Sequence, residues 1–431
     1  MPFFTTPTST SFDFFPQIAD IVLTWGWLFI LFFILWIAWE IYQFIKHVDF
    51  ISSIPYTYFQ ITVPVDAAET PKAMEQAFEV WGGIHKDPDI IERFFEGYFL
   101  PWYSCELHCT RGRVRFIMVV PTSQRKFFEG VIYGQYPTAE LKEIDDYSQR
   151  YSYRDIEKTF DMYGSEVVLA EEDYYPIRTY REYEDMLAED DKFIDPLQAL
   201  IEAFTTIEEG EEFWVQVLVK PVSAKVINKW ADKGQARMLE ISGRAKEPKP
   251  GLIARFRGTI LSLPTDLVSL IMTGELPEAK EDEKKGPQFL DPAQSEEIEG
   301  ILHKISRSGF RTKIRVIHIS PAGKLHKPNI SKAIGVFKQF NSFFLNSFKP
   351  DPLTKSNGPN YFFKQSRRHY RKRFNLLNFQ FRDFWGDDSG YMMNAEELAT
   401  LYHFPNKYGR SPSIERATSG LGSAPENLPY T

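Results

Sequence analysis

The sequence predicts an α+β protein in which an N-terminal transmembrane helix precedes two ferredoxin-like α/β sandwich units. Three observations lead to this fold class. Residues 21–39 form an uncharged apolar run, residues 58–147 show strand and helix patterns in the order β-α-β-β-α-β, and a comparable series follows residue 161. The first order is the ferredoxin-like plan, and we interpret the second series as a degenerate copy of the first.

The apolar run at residues 21–39 has the length of a membrane span. Its nineteen residues carry no charge, and Glu40 ends the run. As a helix they cover about 28 Å, close to the ~30 Å of a hydrocarbon core. A buried core helix of this length would normally have a polar face. Contact with the lipid bilayer is therefore expected, and indole rings that favour the headgroup region lie towards both ends: Trp25, Trp27, Trp36 and Trp39.

The flanks of the run predict its orientation. Residues 1–20 contain no Lys or Arg, whereas Lys46 follows the run, so the positive-inside rule puts the N-terminus outside and everything after residue 45 in the cytoplasm. A cleaved signal peptide is disfavoured because the run is long and no small-x-small site follows it. We predict a single-pass inner (plasma) membrane protein with an extracytoplasmic segment at 1–20 and a membrane helix at 21–45.

The first soluble unit is predicted over residues 50–160. Alternating apolar residues indicate strands, 3.6-residue periodicity indicates helices, and Arg111-Gly112 is a candidate tight turn between the second and third strands. The predicted strands are 58–65, 103–110, 113–120 and 140–147, and the predicted helices are 71–86 and 123–136.

The second unit is predicted over residues 161–405, with a charged linker at 274–290 and a flexible tail at 406–431. Two helices carry clear start signals: Asp195 caps one that has Pro196 at its first position, and Asn394 caps one that has Glu397 at its third. The predicted strands are 167–180, 212–222 and 310–321, and the predicted helices are 195–207, 223–240, 295–308, 331–343 and 394–402.

Charge is strongly separated along the chain, although the net charge is only −8. Residues 140–212 contain 23 acidic and 7 basic residues, whereas residues 304–373 contain 17 basic residues and one acid. The acidic clusters at 171–173 and 189–191 lack the pattern of a calcium loop, and we interpret them as a solvated face. The basic stretch at residues 304–373 is the better candidate for binding.

No motif in the sequence predicts catalysis, a cofactor or a metal. Phosphate-binding, dinucleotide-binding, HExxH and GxSxG patterns are all absent. Cys105, His108 and Cys109 are too far apart along a strand, and on opposite faces, to surround one zinc ion. These three residues are expected to serve packing, and the chain is expected to have no enzymatic activity of its own.

A cluster near the end of the basic stretch 304–373 is the best candidate site. Six cations within ten residues, with aromatic residues on both sides, suit contact with phosphates next to stacking platforms. The pattern leaves three interpretations open: nucleic acid, the anionic inner leaflet, or a solvated face with internal ion pairs. The six candidate residues are Lys364, Arg367, Arg368, Arg371, Lys372 and Arg373.

Several segments, in order, resemble a bacterial membrane-protein family whose members are encoded beside, or fused to, DNA-translocating ATPases of the conjugation and type IV secretion kind. The similar segments are 127–147, 213–230, 337–351, 394–405 and 424–429. The resemblance implies a membrane-anchored accessory or docking component. This chain stops at Pro429-Tyr430-Thr431, where fused members would continue into the motor, so the ATPase partner is expected to be a separate polypeptide. The alternative is a membrane scaffold unrelated to DNA transport, and a homo-oligomer is left open.

Overall fold

In a computed structural model of the protein, nine strands of the described chain form a single sheet. The structure describes residues 14–64, 70–86, 88–185, 195–243, 291–357, 362–384 and 389–405. The strands are β1 Tyr56–Thr62, β2 Tyr103–Thr110, β3 Arg113–Pro121, β4 Glu140–Glu143, β5 Phe160–Leu169, β6 Glu212–Pro221, β7 Gly309–Pro321, β8 Phe348–Pro350 and β9 Tyr391–Asn394.

The α-helices of the described chain precede, separate and follow these strands. They are α1 Phe14–Ser53, α2 Pro71–Gly82, α3 Arg125–Gln135, α4 Tyr180–Asp185, α5 Pro196–Thr205, α6 Ala224–Ile241, α7 Pro292–Ile305, α8 Lys327–Gly335, α9 Lys364–Gln380 and α10 Ala395–Leu401. The protein is thus a mixed α/β protein with an N-terminal apolar helix, as the sequence predicts at this coarser level.

The sheet has the order β4-β1-β3-β2-β6-β7-β5-β8, and β9 pairs with β7. The pairs β1–β4, β2–β3, β2–β6, β6–β7, β5–β7 and β5–β8 are antiparallel. β6 pairs with one edge of β7. β5 and β9 share the other edge: β5 pairs with the second half of β7, and β9 pairs with the first half. Because β2 and β6 pair along their whole length, the sheet runs without a break through both predicted units.

The predicted turn between β2 and β3 is confirmed. Arg111 and Gly112 have φ angles of 51° and 69°. Two central residues with positive φ characterise the two-residue turn whose twist matches a β-hairpin. β2 has the predicted bounds, and its pairing with β3 runs from Ser104 opposite Val119 to Thr110 opposite Arg113.

One face of the sheet carries the main apolar core. Cys105, Leu107 and Cys109 of β2 point into it together with alternate residues of β6 and β7. Helices α2, α3, α5, α8 and α10 cover this face, and Trp81 of α2 and Phe204 of α5 are fully buried there. Burial of large side chains of this kind stabilises a fold by about 1.5–3 kcal/mol for each residue.

Helix α9 lies against the opposite face, beside β5 and β7. It approaches β5 closely at Gly164, where a Cβ atom would be 2.8 Å from the Cβ of Asn375. Asn375, Leu376 and Phe379 form the buried side of the helix. A glycine is needed at this crossing because any side chain there would push helix and strand apart.

The predicted helix caps are also confirmed. Asp195 Oδ1 accepts a hydrogen bond from the Leu197 backbone N–H at 2.8 Å, with Pro196 at the first helical position. Asn394 and Glu397 form a reciprocal capping box at the start of α10. Each cap satisfies backbone N–H groups that have no partner inside the helix.

The strand predicted over residues 167–180 is wrong. β5 begins seven residues earlier and ends at Leu169, and Pro176 in the second half cannot donate to a strand ladder. The Ile177 N–H instead donates to Glu397 Oε1 at 2.9 Å. Helix α9 was not predicted either, because its polar residues hide the apolar period. The linker at 274–290 and the tail at 406–431 lie outside the described residues.

The chain divides into two compact units. One comprises residues 1–56 and 86–101, and the other comprises residues 57–85 and 102–431. In the first, the Thr24–Ser53 part of α1 is long and apolar enough to cross a membrane, and its most apolar window is not buried in the protein. N-terminal signal sequences share these properties, so orientation across the membrane remains a prediction.

Candidate partner-binding surface on helix α9

A row of polar side chains crosses the sheet on the face that α9 covers. Glu166 of β5, Arg315 of β7, Gln216 of β6 and Glu106 of β2 are neighbours in register. Arg315 Nε donates to Glu166 Oε1 at 2.9 Å, Arg315 Nη1 to Gln216 Oε1 at 3.1 Å, and Gln216 Nε2 to Glu106 Oε1 at 3.0 Å. Hydrogen bonding offsets the cost of burying these groups, and the side chains form one continuous network.

This row fastens the C-terminal end of α9 to the sheet. Arg315 also donates to the carbonyl oxygens of Asn378, at 3.1 Å, and Asp383. Gln216 Nε2 donates to the carbonyl oxygen of Phe379 at 3.0 Å. The last carbonyls of a helix lack partners within the helix, so side chains of the sheet complete the end of α9.

Arg382, just after α9, extends the attachment to β2. Its guanidinium donates to Glu106 at 2.9 and 3.2 Å and to Asp146 at 3.0 and 3.1 Å. Burial alone would lower the pKa of Arg382, but the carboxylates of Glu106 and Asp146 outweigh it and raise the pKa. The Tyr147 hydroxyl donates to the second oxygen of Glu106 at 2.9 Å. The Arg382 guanidinium thus pairs with two carboxylates within the fold.

The middle of α9 is held by Lys372, which the sequence had placed in the binding cluster. Its side chain is directed inward: the residue is only 8% exposed, and Nζ pairs with Glu157 Oε1 at 2.5 Å and Asp161 Oδ1 at 2.6 Å. Burial raises the pKa of Glu157, but Lys372 and His369 outweigh it and lower the pKa. Lys372 is therefore an internal anchor, and its inclusion among the phosphate-contacting residues is corrected.

The other five predicted cations lie in the first ten residues of α9 and are exposed or half-buried. Some are braced by neighbours: the Arg373 guanidinium lies 4.3 Å from the ring centre of Tyr153, and Arg371 Nη1 donates to the Lys355 carbonyl at 3.0 Å. Such contacts reduce the rotamer entropy lost on binding. Lys364 and Arg373 are exposed, and Arg367, Arg368 and Arg371 are half-buried; in contrast to the buried Lys372, we call these five the outward cations.

Exposed aromatic rings accompany these cations. Phe362 is 85% exposed and Tyr370 is 66% exposed, and the ring of Tyr370 stacks on that of Phe374 at 6.2 Å. The backbone of Phe363 is left-handed at φ 57° where the chain enters the helix. Large exposed apolar groups beside arginines are typical of interaction surfaces. We call this surface the α9 patch: the five outward cations with Phe362, Phe363, Tyr370, Phe374 and Phe381.

Cys105, His108 and Cys109 lie on β2 as the alternation predicts. Both cysteines are buried in the apolar core; Cys109 Sγ donates to the Phe204 carbonyl at 3.2 Å, and burial raises its pKa to about 12. His108 is on the other face, stacked on Tyr147. Among the described residues no group of three or more His, Cys, Asp or Glu is arranged to hold a metal ion.

The acidic cluster at 171–173 takes part in the fold. Asp173 Oδ2 accepts from the Met392 N–H at 3.0 Å, and the Glu172 carbonyl accepts from Asn346 Nδ2 at 3.1 Å. The cluster at 189–191 lies outside the described residues.

Sequence patterns did not reveal a polar cavity of about 420 Å³ at the ends of β2 and β6. Glu212 in its wall accepts from Arg150, Tyr151, His108 and Trp214. Burial raises the pKa of Glu212, but His108 and Arg150 outweigh it and lower the pKa. Three arginines and three glutamates line the cavity, and sequence patterns could not show it because the arginines are distant in sequence from the glutamates. The lining residues are Thr110, Arg111, Arg115, Arg150, Tyr151, Glu209, Gly210, Glu211 and Glu212.

The fold and the α9 patch define a mixed α/β protein with an apolar N-terminal helix and an exposed basic-aromatic surface. The chain belongs to a family described as a domain of unknown function, DUF8128, whose model matches residues 60–417. No curated protein matches the sequence.

Proposed function

We propose that this protein is a non-catalytic, membrane-anchored docking component, and that the α9 patch is the surface that receives its partner. The resemblance noted in the sequence points to a separately encoded ATPase of a conjugation or type IV secretion-like machine as that partner. Helix α1 would hold the protein in the inner membrane, with the α/β part in the cytoplasm.

The α9 patch is the observation that carries the proposal. Arginine, tyrosine and phenylalanine are enriched in protein interfaces and dominate their energetics. The helix that presents them is fastened at its middle by Lys372 and at its end by Arg315 and Arg382. A binding surface on a rigid element loses less entropy on association than one on a loop.

We also propose that the sheet arose from two ferredoxin-like units. The strand order within β1–β4 is 4-1-3-2, and β5–β8 repeat this order as β8-β5-β7-β6. Order 4-1-3-2 with antiparallel neighbours is that of the ferredoxin-like plan. The second strands of the two units, β2 and β6, pair and close what would otherwise be two exposed edges.

The first experiment asks which chemistry the α9 patch recognises. Full-length protein in phosphatidylcholine nanodiscs is titrated with duplex DNA, single-stranded DNA and anionic vesicles at two salt concentrations. The variant changes Lys364, Arg367, Arg368 and Arg373 to Gln. If these residues contact DNA phosphates, each lost contact should flatten the log–log salt slope by about 0.9 on duplex DNA.

A matched control, called the α6 control, removes the same number of positive charges elsewhere, three of them from helix α6. Lys225, Lys229 and Lys233 of α6, with Lys338, are changed to Gln; all four are exposed. Vesicle binding that is lost only in the α9 variant would identify the membrane as the ligand of the patch. If neither DNA nor vesicles bind, a protein partner is the remaining ligand.

The second experiment identifies the partner. Tagged protein is purified from gently solubilised membranes, and co-purifying proteins are quantified by mass spectrometry for wild type, the α9 variant and the α6 control. The proposal expects an ATPase of the DNA-translocating class that is retained by the control and lost from the α9 variant. Capture of a partner of another class through the same patch would support the unrelated scaffold instead.

A further inference from the structure

A second apolar surface lies in the unit that contains α1. After Lys86 the chain passes through a short π-helix at Glu92–Glu96 and folds along the second half of α1. Gln43 Nε2 donates to the Phe94 carbonyl at 2.8 Å, and the Trp39 and Phe94 ring centres are 6.2 Å apart. These contacts fix the segment beside the end of the apolar run.

Further contacts continue in the same direction along α1. The rings of His47 and Phe99 are 5.9 Å apart, and those of Phe50 and Tyr98 are 5.2 Å apart. Gly97 has φ 69°, and a Cβ atom there would be 2.5 Å from the carbonyl carbon of Lys46. Only glycine allows this approach, so the segment is packed tightly against the helix backbone.

The outer side of the segment is apolar and exposed. Within six residues it presents Ile90, Ile91, Phe94 and Phe95, and Ile90 is 69% exposed. Burying such a side chain is worth about 1.5–3 kcal/mol. A cluster of this kind marks an interaction surface, and the ring contact between Trp39 and Phe94 joins it to the exposed apolar surface of α1.

The position of the segment along α1, relative to the predicted membrane span, indicates that the bilayer covers its apolar side. The Phe94 carbonyl accepts a hydrogen bond from Gln43. Gln43 lies four residues beyond Trp39, the end of the predicted span, which is about 6 Å along the helix axis. The headgroup region of one leaflet is roughly 5–8 Å thick. With residues 21–39 across the hydrocarbon core, Phe94 would lie at headgroup level, where aromatic rings are favoured.

We propose that residues 90–95 insert into the headgroup and acyl boundary of the bilayer, as a second membrane contact beside α1. This inference rests on the proposed membrane anchoring. Its driving force is apolar: Glu92 pairs with Lys86 at 2.6 Å, and the remaining charges of the segment, Arg93 and Glu96, are of opposite sign, so anionic lipid is not required. Two contacts with one bilayer fix the rotation of α1 about its axis, which a lone helix leaves free.

The test measures contact with lipid directly. A fluorophore is attached to the full chain at Phe95→Cys, and the protein is reconstituted in phosphatidylcholine vesicles that carry nitroxide groups on the acyl chains. Leu31→Cys in mid-span is the positive control, and Leu353→Cys, at a residue 78% exposed, is the negative control. Cys105 and Cys109 are buried, so the label attaches to the introduced thiol.

Fluorescence loss is expected at positions 95 and 31 but not at 353. Loss at 31 without loss at 95 overturns this inference and leaves the anchor intact, whereas no loss at 31 overturns both. If the fluorescence of the label at position 95 is blue-shifted but is not quenched by the lipid nitroxides, a second copy or another protein covers the surface. That result also overturns the inference. Gly97→Val, which forces the segment away from Lys46, should reduce the loss at 95 and leave that at 31 unchanged.

Discussion

Replacing Arg315 by Met tests whether the polar row holds α9 on the sheet. The guanidinium is almost fully buried and donates to Glu166, Gln216 and two backbone carbonyls at the end of α9. Methionine replaces the aliphatic part of the arginine side chain, up to about the position of Nε, and has no donors. The substitution therefore removes the hydrogen bonds of the guanidinium while it keeps the packing of the aliphatic part.

The expected cost is large because the partners stay buried. Breaking a buried ion pair by removing one member costs about 3–5 kcal/mol. The lower end applies here, because the Glu166 side chain is 20% exposed and can reach water. Gln216 Oε1 loses a donor as well, which adds about 1 kcal/mol or more. We expect about 4 kcal/mol in the free energy of unfolding.

Urea denaturation of the full chain in detergent, followed by tryptophan fluorescence, measures this change. Arg113→Met is the control: Arg113 is exposed, and surface substitutions usually change stability by less than about 0.5 kcal/mol. Trypsin should also cut faster at the basic residues of α9 in the Arg315 variant. A loss below about 1 kcal/mol, with unchanged cleavage, would refute the attachment.

Three further predictions concern the span, the α9 crossing and pH. Changing Leu31 and Leu35 to Arg should weaken membrane insertion by about 2.5–3.5 kcal/mol each, seen as protein extracted by alkaline carbonate; full retention would contradict the span. Gly164→Ala should cost about 1–3 kcal/mol, since its Cβ meets Asn375, and an unchanged denaturation midpoint would contradict that packing. Burial lowers the pKa of His318 to about 4 from about 6.5. The unfolded chain takes up this proton first, so stability is full above about pH 6.5 and falls towards pH 4; His318→Gln should flatten that part of the profile, and an identical profile would count against it.

Local signals predicted most of the elements in the α/β part. Asp195 and Asn394 have the side chains and spacing of N-caps, so both helix starts were predictable. Arg111-Gly112 identified the hairpin because few residues adopt positive φ. These features depend on residues close together in sequence.

The site depends on residues that are far apart. Glu106, Glu166, Gln216 and Arg315 look like isolated polar residues in apolar strands, and only the register of four strands brings them into one row. Lys372 looked like its basic neighbours, because its partners Glu157 and Asp161 belong to another part of the chain. Composition identified the basic cluster, but it could not tell which cation is directed inward.

Site-specific photo-crosslinking in native membranes tests the docking role of the α9 patch most directly. A photoreactive residue replaces Tyr370, a residue of the patch that is 66% exposed, and a second variant of the same protein carries it at Leu353 as the control. The proposed function predicts a crosslink to one protein partner from position 370. That crosslink should be absent from position 353 and lost when Lys364, Arg367, Arg368 and Arg373 are changed to Gln. Equal labelling from both positions, or none from position 370, would contradict the proposal that α9 is the docking surface.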